Sequence, residues 1–172
     1  MKSRFAFLFL AVVALLVAGC LGGTVRRDLV LSRDFQPRQY ERLAVVNLDP
    51  RVNFSEYVEA ELVRKGYKVK EWSSVRQLLI KEGLFREGSP DVQNLAKMGT
   101  LLDVQGIVLC SVLEFSRFHD SFRLNIKMVA PQTGNTIWSA QGEMEGKRGE
   151  KTGTILRAIV ISSLAKLPPL KG

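Results

Sequence analysis

The sequence predicts an α/β fold, a three-layer mixed sheet with two central strands, a C-terminal antiparallel meander and helices packed on it. Arg42 to Asp49 and the middle of Val104 to Phe118 are apolar on both alternating faces, as strands covered on both sides must be. Between them lie apolar stripes at helical spacing, and after the second comes a pair of alternating segments joined by a turn. Early strand-to-helix alternation builds layers, and late consecutive strands add an antiparallel end.

The chain starts with a basic pair, Lys2 and Arg4, followed by an uncharged run from Phe5 to Ala18. That run has the length of a signal-peptide core and is too short to span a membrane. It closes on Leu16-Val17-Ala18-Gly19-Cys20, which resembles a bacterial lipobox. The resemblance implies cleavage between Gly19 and Cys20 and attachment of diacylglycerol and palmitate-type chains to Cys20. One acyl chain holds a protein only marginally at a bilayer, whereas two or three hold it durably. Residues 1–19 are thus expected to be a lipoprotein signal peptide, 20–39 a lipidated cysteine and tether, and 40–172 a single domain. Fully extended, the tether could span at most about 65 Å, and as a coil nearer 25 Å. Its apolar Leu29-Val30-Leu31 suggests that part of it packs on the domain instead.

The opening strand stops at Pro50. Asn53 or Ser55 can cap a helix running to about Lys65, with Phe54, Tyr57, Val58 and Leu62 in one stripe and Gly66 ending it. Tyr67 to Trp72 alternates with lysines on one face, an edge strand guarded by charge. Ser73 or Ser74 then caps a helix with Val75, Leu78 and Leu79 inward, ending near Gly83. A short helix follows Ser89-Pro90-Asp91, with Val92, Leu95 and Ala96 facing in. After the second central strand, Ser121 to Val129 sends Phe122, Leu124, Ile126 and Met128 inward and Arg123, Asn125 and Lys127 outward. A turn at Pro131 to Asn135 leads into Thr136 to Glu145, with Trp138, Ala140 and Met144 inward. Gly153 to Leu167 is a helix, apolar at Ile155, Leu156, Ile159, Val160, Leu164 and Leu167 and stopped by Pro168-Pro169. Ala158 and Ile161 widen its apolar surface, which points to burial between layers before a subunit contact.

The formal net charge is +8, of which Lys2 and Arg4 in the leader supply two. An exported chain meets anionic lipid or wall polymer rather than nucleic acid, so no nucleic-acid partner is expected. Two cysteines are present. With Cys20 acylated, Cys110 has no partner within the chain and reads as a small buried hydrophobe.

Four stretches resemble the curli-secretion lipoprotein (CsgG-like) superfamily, whose fold is shared by the peptidoglycan-synthase activator lipoprotein (LpoB-like). They are Leu43 to Asp49, an opening apolar strand; Trp72 to Leu84, a helix with paired leucines and a glutamate; Leu95 to Val112, a helix, Gly99 and a long buried strand; and Val129 to Ser139, a hairpin turning at Thr133-Gly134 and re-entering at Trp138. Cys110 stands where a glycine is expected and Gln105 near a common aspartate. Pore-forming relatives add membrane-crossing hairpins, and Gly83 to Asp91 is too short for strands of about ten residues each.

Chemistry-bearing patterns are sparse. His119 beside Asp120 has no second histidine or cysteine at ligand spacing, so neither metal nor other cofactor is expected. Asp49 lies at a strand end where α/β sheets often bind ligands, but its loop lacks phosphate-cradling glycines, and it reads as a turn residue. Ser55, Ser73, Ser74 and Ser89 stand at helix starts, where capping accounts for them. Glu114, Glu143 and Glu145 are carboxylates on strands and keep sugar cleavage open, although glutamates are common on sheet surfaces.

The leading expectation is a non-enzymatic outer-membrane lipoprotein on the periplasmic side, an assembly or accessory subunit of a cell-envelope or secretion machine. Leu21 after Cys20, with no aspartate there, fits the outer-membrane sorting pattern. Arg123, Asn125 and Lys127 form its candidate interaction surface toward a protein partner, and homo-oligomerisation stays open. The alternative is an activator of a peptidoglycan synthase; an envelope hydrolase ranks third.

Overall fold

The computed structural model describes residues 25–33, 35–86, 89–116, 121–146 and 149–170. The leader, the Gly19–Cys20 cleavage and lipidation site, and His119 in its loop lie outside the described residues. Along the chain run β1 (Arg26–Leu31), a 3-10 turn (Pro37–Tyr40), β2 (Arg42–Asn47), α1 (Ser55–Arg64), β3 (Lys68–Lys70), α2 (Trp72–Lys81), β4 (Phe85–Arg86) and β5 (Ser89–Pro90). A second 3-10 turn (Val92–Asn94), α3 (Leu95–Leu102), β6 (Gly106–Ser116), β7 (Ser121–Val129), β8 (Thr136–Glu145) and α4 (Thr152–Leu164) complete it.

Six strands form one sheet in the order β1-β8-β7-β6-β2-β3. Parallel pairing joins β2 to β3 and to β6, and antiparallel pairing joins β6, β7, β8 and β1 in turn. This is the mixed sheet that the two-sided apolar strands and the late meander predict. The adjacent pair β2 and β6 is buried on both faces.

On the first face, Leu43, Val45, Val108, Cys110 and the inward row of β7 and β8 pack under α1 and α4. On the second face, Ala44, Val46, Ile107 and Leu109 pack under α2 and α3. Those two helices cover β2, the first half of β6 and Val129 at the end of β7, and among the described residues no helix lies over the rest of the meander on that side. Among the described residues, three layers therefore exist over half the sheet and two over the rest.

Within the stretch expected to be tether, the part around Leu29-Val30-Leu31, where packing on the domain was expected, supplies β1. Arg26 to Leu31 pairs along β8 from Glu143 to Trp138 and closes one edge of the sheet. Its side chains are mostly exposed, Val30 at 61%. Backbone pairing, the half-buried Leu29 and hydrogen bonds from Arg27 Nη1 to Ser162 Oγ and O (3.0 and 3.4 Å) hold it in place. Without a buried face it has no alternating pattern to read.

Two helix starts differ from expectation. For α2 the first helical residue is Trp72, so Ser73 and Ser74 lie inside the first turn and do not cap it. The acceptor comes from α1, where Glu59 Oε1 takes the Trp72 N–H at 2.8 Å. Half-burial away from water raises the Glu59 pKa. Glu59→Ala is expected to cost about 1 kcal/mol, the usual worth of an N-terminal acceptor, and Glu59→Gln much less, read by urea midpoints.

In α3 the sequence reading placed Val92 and Ala96 inward; both are exposed, Val92 at 40%. Asp91 accepts from Gln93 N and spends the Ser-Pro-Asp start on the 3-10 turn. The helix thus begins at Leu95 and buries Met98, Gly99 and Leu102. Gly99 is tightly used, since a Cβ there would lie 2.5 Å from the Pro131 Cβ in the turn between β7 and β8.

α1 conforms more closely. Asn53 Oδ1 accepts from Ser55 N and Oγ (3.1 and 2.8 Å), and Gly66 takes a positive φ after the helix. In α4 every residue of the expected stripe is buried, while Ile161 is 40% exposed on the outer side. Below it, Tyr67 donates to Pro168 O and Lys65 Nζ to Leu167 O (3.0 and 2.8 Å), fastening the last turn to the end of α1. Burial pushes the Tyr67 phenol up to about 12, so it remains this neutral donor across the physiological range.

Candidate functional site

Two places merit functional weight, the bare half of the second sheet face and a groove at one end of the first. The bare half is set by register. Arg123 of β7 lies opposite Glu114 of β6 and Glu143 of β8, and Glu143 lies opposite Arg26 of β1. Charges therefore alternate across four neighbouring strands. The next row, Ser111, Asn125 and Gln141, is uncharged; Asn125 donates to Ser111 Oγ at 3.5 Å and receives a hydrogen bond at 3.2 Å from Ser139 Oγ, which lies opposite Lys127. The three residues expected to form an interaction surface, Arg123, Asn125 and Lys127, do share this face. Arg123 is exposed, whereas Asn125 and Lys127 are half-buried.

The groove was not foreseen. It has a volume of about 820 Å³ and lies beyond the carboxyl end of β2, the end at which parallel strands present ligands in open α/β sheets. Phe122 and Leu156 are buried, Val52 and Tyr57 half-buried, and Arg51, Asn53 and Thr152 exposed. Phe115 stacks on Phe122, with centroids 4.7 Å apart and planes 22° from parallel, and is 40% exposed. A β-bulge puts it there. Val112 pairs with Leu124, but the next matched pair is Glu114 with Arg123, so Leu113 is the extra residue. An extra residue exchanges the faces of everything after it. Phe115 therefore joins Phe122 on the helix-covered side, where plain alternation would have placed it on the bare one. Phe122 and Tyr57 were legible as inward residues; the bulge that recruits Phe115 has no sequence mark.

Asp49 sits beside this groove as a turn residue. Its carboxylate accepts from Arg51 N (2.9 Å), Nε (3.1 Å) and Nη2 (2.8 Å), and its own carbonyl accepts from Asn47 Nδ2 at 2.6 Å. The Arg51 guanidinium holds the Asp49 carboxyl below its ordinary value of 3.8, against the opposing effect of burial. A carboxylate bound more tightly as an anion in the folded state adds stability above its unfolded pKa and loses it as pH falls through the folded one. Asp49→Asn should therefore flatten the acid limb of stability below about pH 4, checked by thermal melts from pH 6 to 2 beside wild type.

The remaining chemistry-bearing residues have structural places. Cys110 is fully buried, and burial pushes its thiol well above the ordinary range. Gln105 accepts from Arg42 N at 2.7 Å and returns its own N–H to Arg42 O at 2.9 Å, extending the pairing of β2 with β6. Ser55, the first residue of α1, donates to Asn53 Oδ1, while the N-cap position itself is Phe54. Among the described residues no three His, Cys, Asp or Glu side chains gather as a metal site would require.

No protein-family model and no curated protein matches the chain. Solved structures do. A PelC dodecamer from Paraburkholderia phytofirmans aligns at TM-score 0.54 and 13% identity, covering 88% of this chain and 99% of that one. Lipoprotein GNA1162 from Neisseria meningitidis aligns at TM-score 0.54 and 19% identity, covering 74% and 98%. The fold is shared with both. At these identities the likeness is one of architecture. The LpoB C-terminal domain from Salmonella enterica aligns at TM-score 0.41 and 17% identity over 62% and 83%, too loosely to carry an argument.

Proposed function

We propose that the chain is a non-enzymatic lipoprotein subunit of a cell-envelope or secretion machine, anchored through Cys20 on the periplasmic side of an outer membrane. On this reading it is a small member of the CsgG-like superfamily, on the four sequence stretches that resemble it. The observation that carries the proposal is the place of β1. Its first residue, Arg26, follows the lipobox cysteine by six positions, a contour of at most about 20 Å. Such a body works beside its bilayer. It does not reach across the periplasm.

The bare sheet face supports a role in contact with protein. Its charges are balanced in register, so a partner would be chosen by matching rows of charge and amide rather than by one strong field. The same register weighs against sugar cleavage, because Arg123 stands between Glu114 and Glu143, and the surface depressions that Glu143 lines are shared with Arg26. Self-association belongs to the proposal as well, in view of the fold shared with a dodecamer's subunit.

The test is capture of the full chain from detergent-solubilised membranes. A stoichiometric envelope partner is expected, with recovery falling at least tenfold when Arg123 and Lys127 are both replaced by glutamate. A penicillin-binding synthase as the main partner would replace this reading with synthase activation. Hydrolysis of wall material, lost on changing Glu114, Glu143 or Glu145 singly, would replace it with an enzyme. Cys20→Ala should move the protein from the membrane to the soluble fraction, and light scattering on that form should give a mass above the monomer's.

A further inference from the structure

We propose that the groove shelters an acyl chain of the lipid carried by the protein's own Cys20. This rests on the reading above that Cys20 is lipidated, and it gives a use to the feature that reading leaves idle.

The chain enters the fold at the groove's end of the sheet. β1 begins opposite Glu143 near the close of β8, which faces the start of β7 at Ser121, which in turn faces the last residue of β6. Val25, just ahead of β1, packs on the same apolar cluster that includes Phe122 and Leu156. Two strand spacings of about 4.8 Å separate β1 from β7, so Phe122 lies on the order of 10 Å across the sheet from Arg26. The six-residue lead from Cys20 to Arg26 spans up to about 20 Å. Cys20 can therefore reach the groove with length to spare.

The lining suits an acyl chain joined to an ester-bearing head. Buried Phe122 and Leu156 with half-buried Tyr57 form an apolar bed, and the exposed polar side chains, Asn53 and Thr152 among them, lie at the rim. A volume of about 820 Å³ falls in the range of sites that enclose ligands of that size. The bulge at Leu113 places Phe115 over this bed, against the alternation of its own strand. While the protein is out of the bilayer, such a seat keeps part of the anchor from water; at the membrane the chain is free to leave.

Photocrosslinking tests this on the full chain. Cells are fed a palmitate analogue bearing a diazirine, so that lipid on Cys20 carries the crosslinker, and the protein is irradiated and mapped by mass spectrometry. Adducts joining the Cys20 peptide to peptides that contain Tyr57, Phe115 or Leu156 are expected, falling at least fivefold in Phe115→Glu and Phe115→Ser and unchanged in Lys97→Ala, an exposed position of α3 on the other sheet face. Melting curves on both Phe115 variants confirm that they fold. Label on Cys20 with adducts only to bilayer lipid would overturn the inference while leaving the anchor intact. No label on Cys20 would sink the lipoprotein reading itself and this inference with it. Equal groove labelling of an exported Cys20→Ala chain by labelled membrane lipid would assign the seat to bilayer lipid instead, and so overturn occupancy by the protein's own anchor.

Discussion

Replacing Gly142 with valine should destabilise the domain by about 3 kcal/mol, at the upper end of the usual cost of overpacking. Gly142 lies on the inward row of β8 where α4 crosses most closely. A Cβ there would collide with Ser163 Oγ and come within 2.5 Å of Ile159 Cγ2. Both belong to a buried helix face, and Ile159 is fully enclosed, so the helix itself has to move. Displacing α4 also pulls Ser162 away from Arg27, the side-chain tie that holds β1. Urea unfolding should therefore show a lower midpoint for Gly142→Val, and proteolysis should clip the β1 segment early. Ser163→Ala offers an internal check. Its hydroxyl is buried with no hydrogen-bond partner among the described residues, so removing it should be neutral or slightly stabilising. It should also relieve part of the cost of Gly142→Ala in a double-mutant cycle.

Trp138→Ala is expected to cost about 3–5 kcal/mol, the range for emptying a large buried aromatic site. Trp138 is 1% exposed and is among the largest fully buried side chains. It lies opposite Met128 on β7 and Leu31 on β1, so it serves both the meander and the edge strand. Its loss leaves a hole beneath α4 that rigid strand backbones cannot close. Near-ultraviolet circular dichroism and calorimetry should both report the change, with Trp138→Phe recovering about half of it.

How much of this could be read in advance depended on whether a residue's surroundings were local. Strands β2, β6, β7 and β8 were legible because burial on one or both faces imposes an apolar pattern on each. The inward row of β7, from Phe122 to Met128, was read without error for that reason. That Leu29-Val30-Leu31 packs on the domain was legible, but not that it is a strand, because β1 gains its place from backbone pairing and one arginine, with most side chains in water. The cap on α2 was misplaced because Glu59 supplies the acceptor from another helix, a contact that sequence spacing does not encode. Groove residue Phe115 was missed because one extra residue at Leu113 reverses the count. That Arg123, Asn125 and Lys127 alternate away from the inward row was legible in β7 itself, whereas the half-burial of Asn125 and Lys127 follows from the flanking strands.

The pairing of β1 with β8 also bears on how the molecule is made. The first strand to emerge can find its partner only after almost all the rest has been synthesised and the β7–β8 hairpin has formed. Contacts between such distant parts of a chain form slowly. During that wait β8 keeps an unpaired edge, open to any strand that could add to it. The topology thus orders assembly in time, with β1 as the last strand of the sheet to be locked.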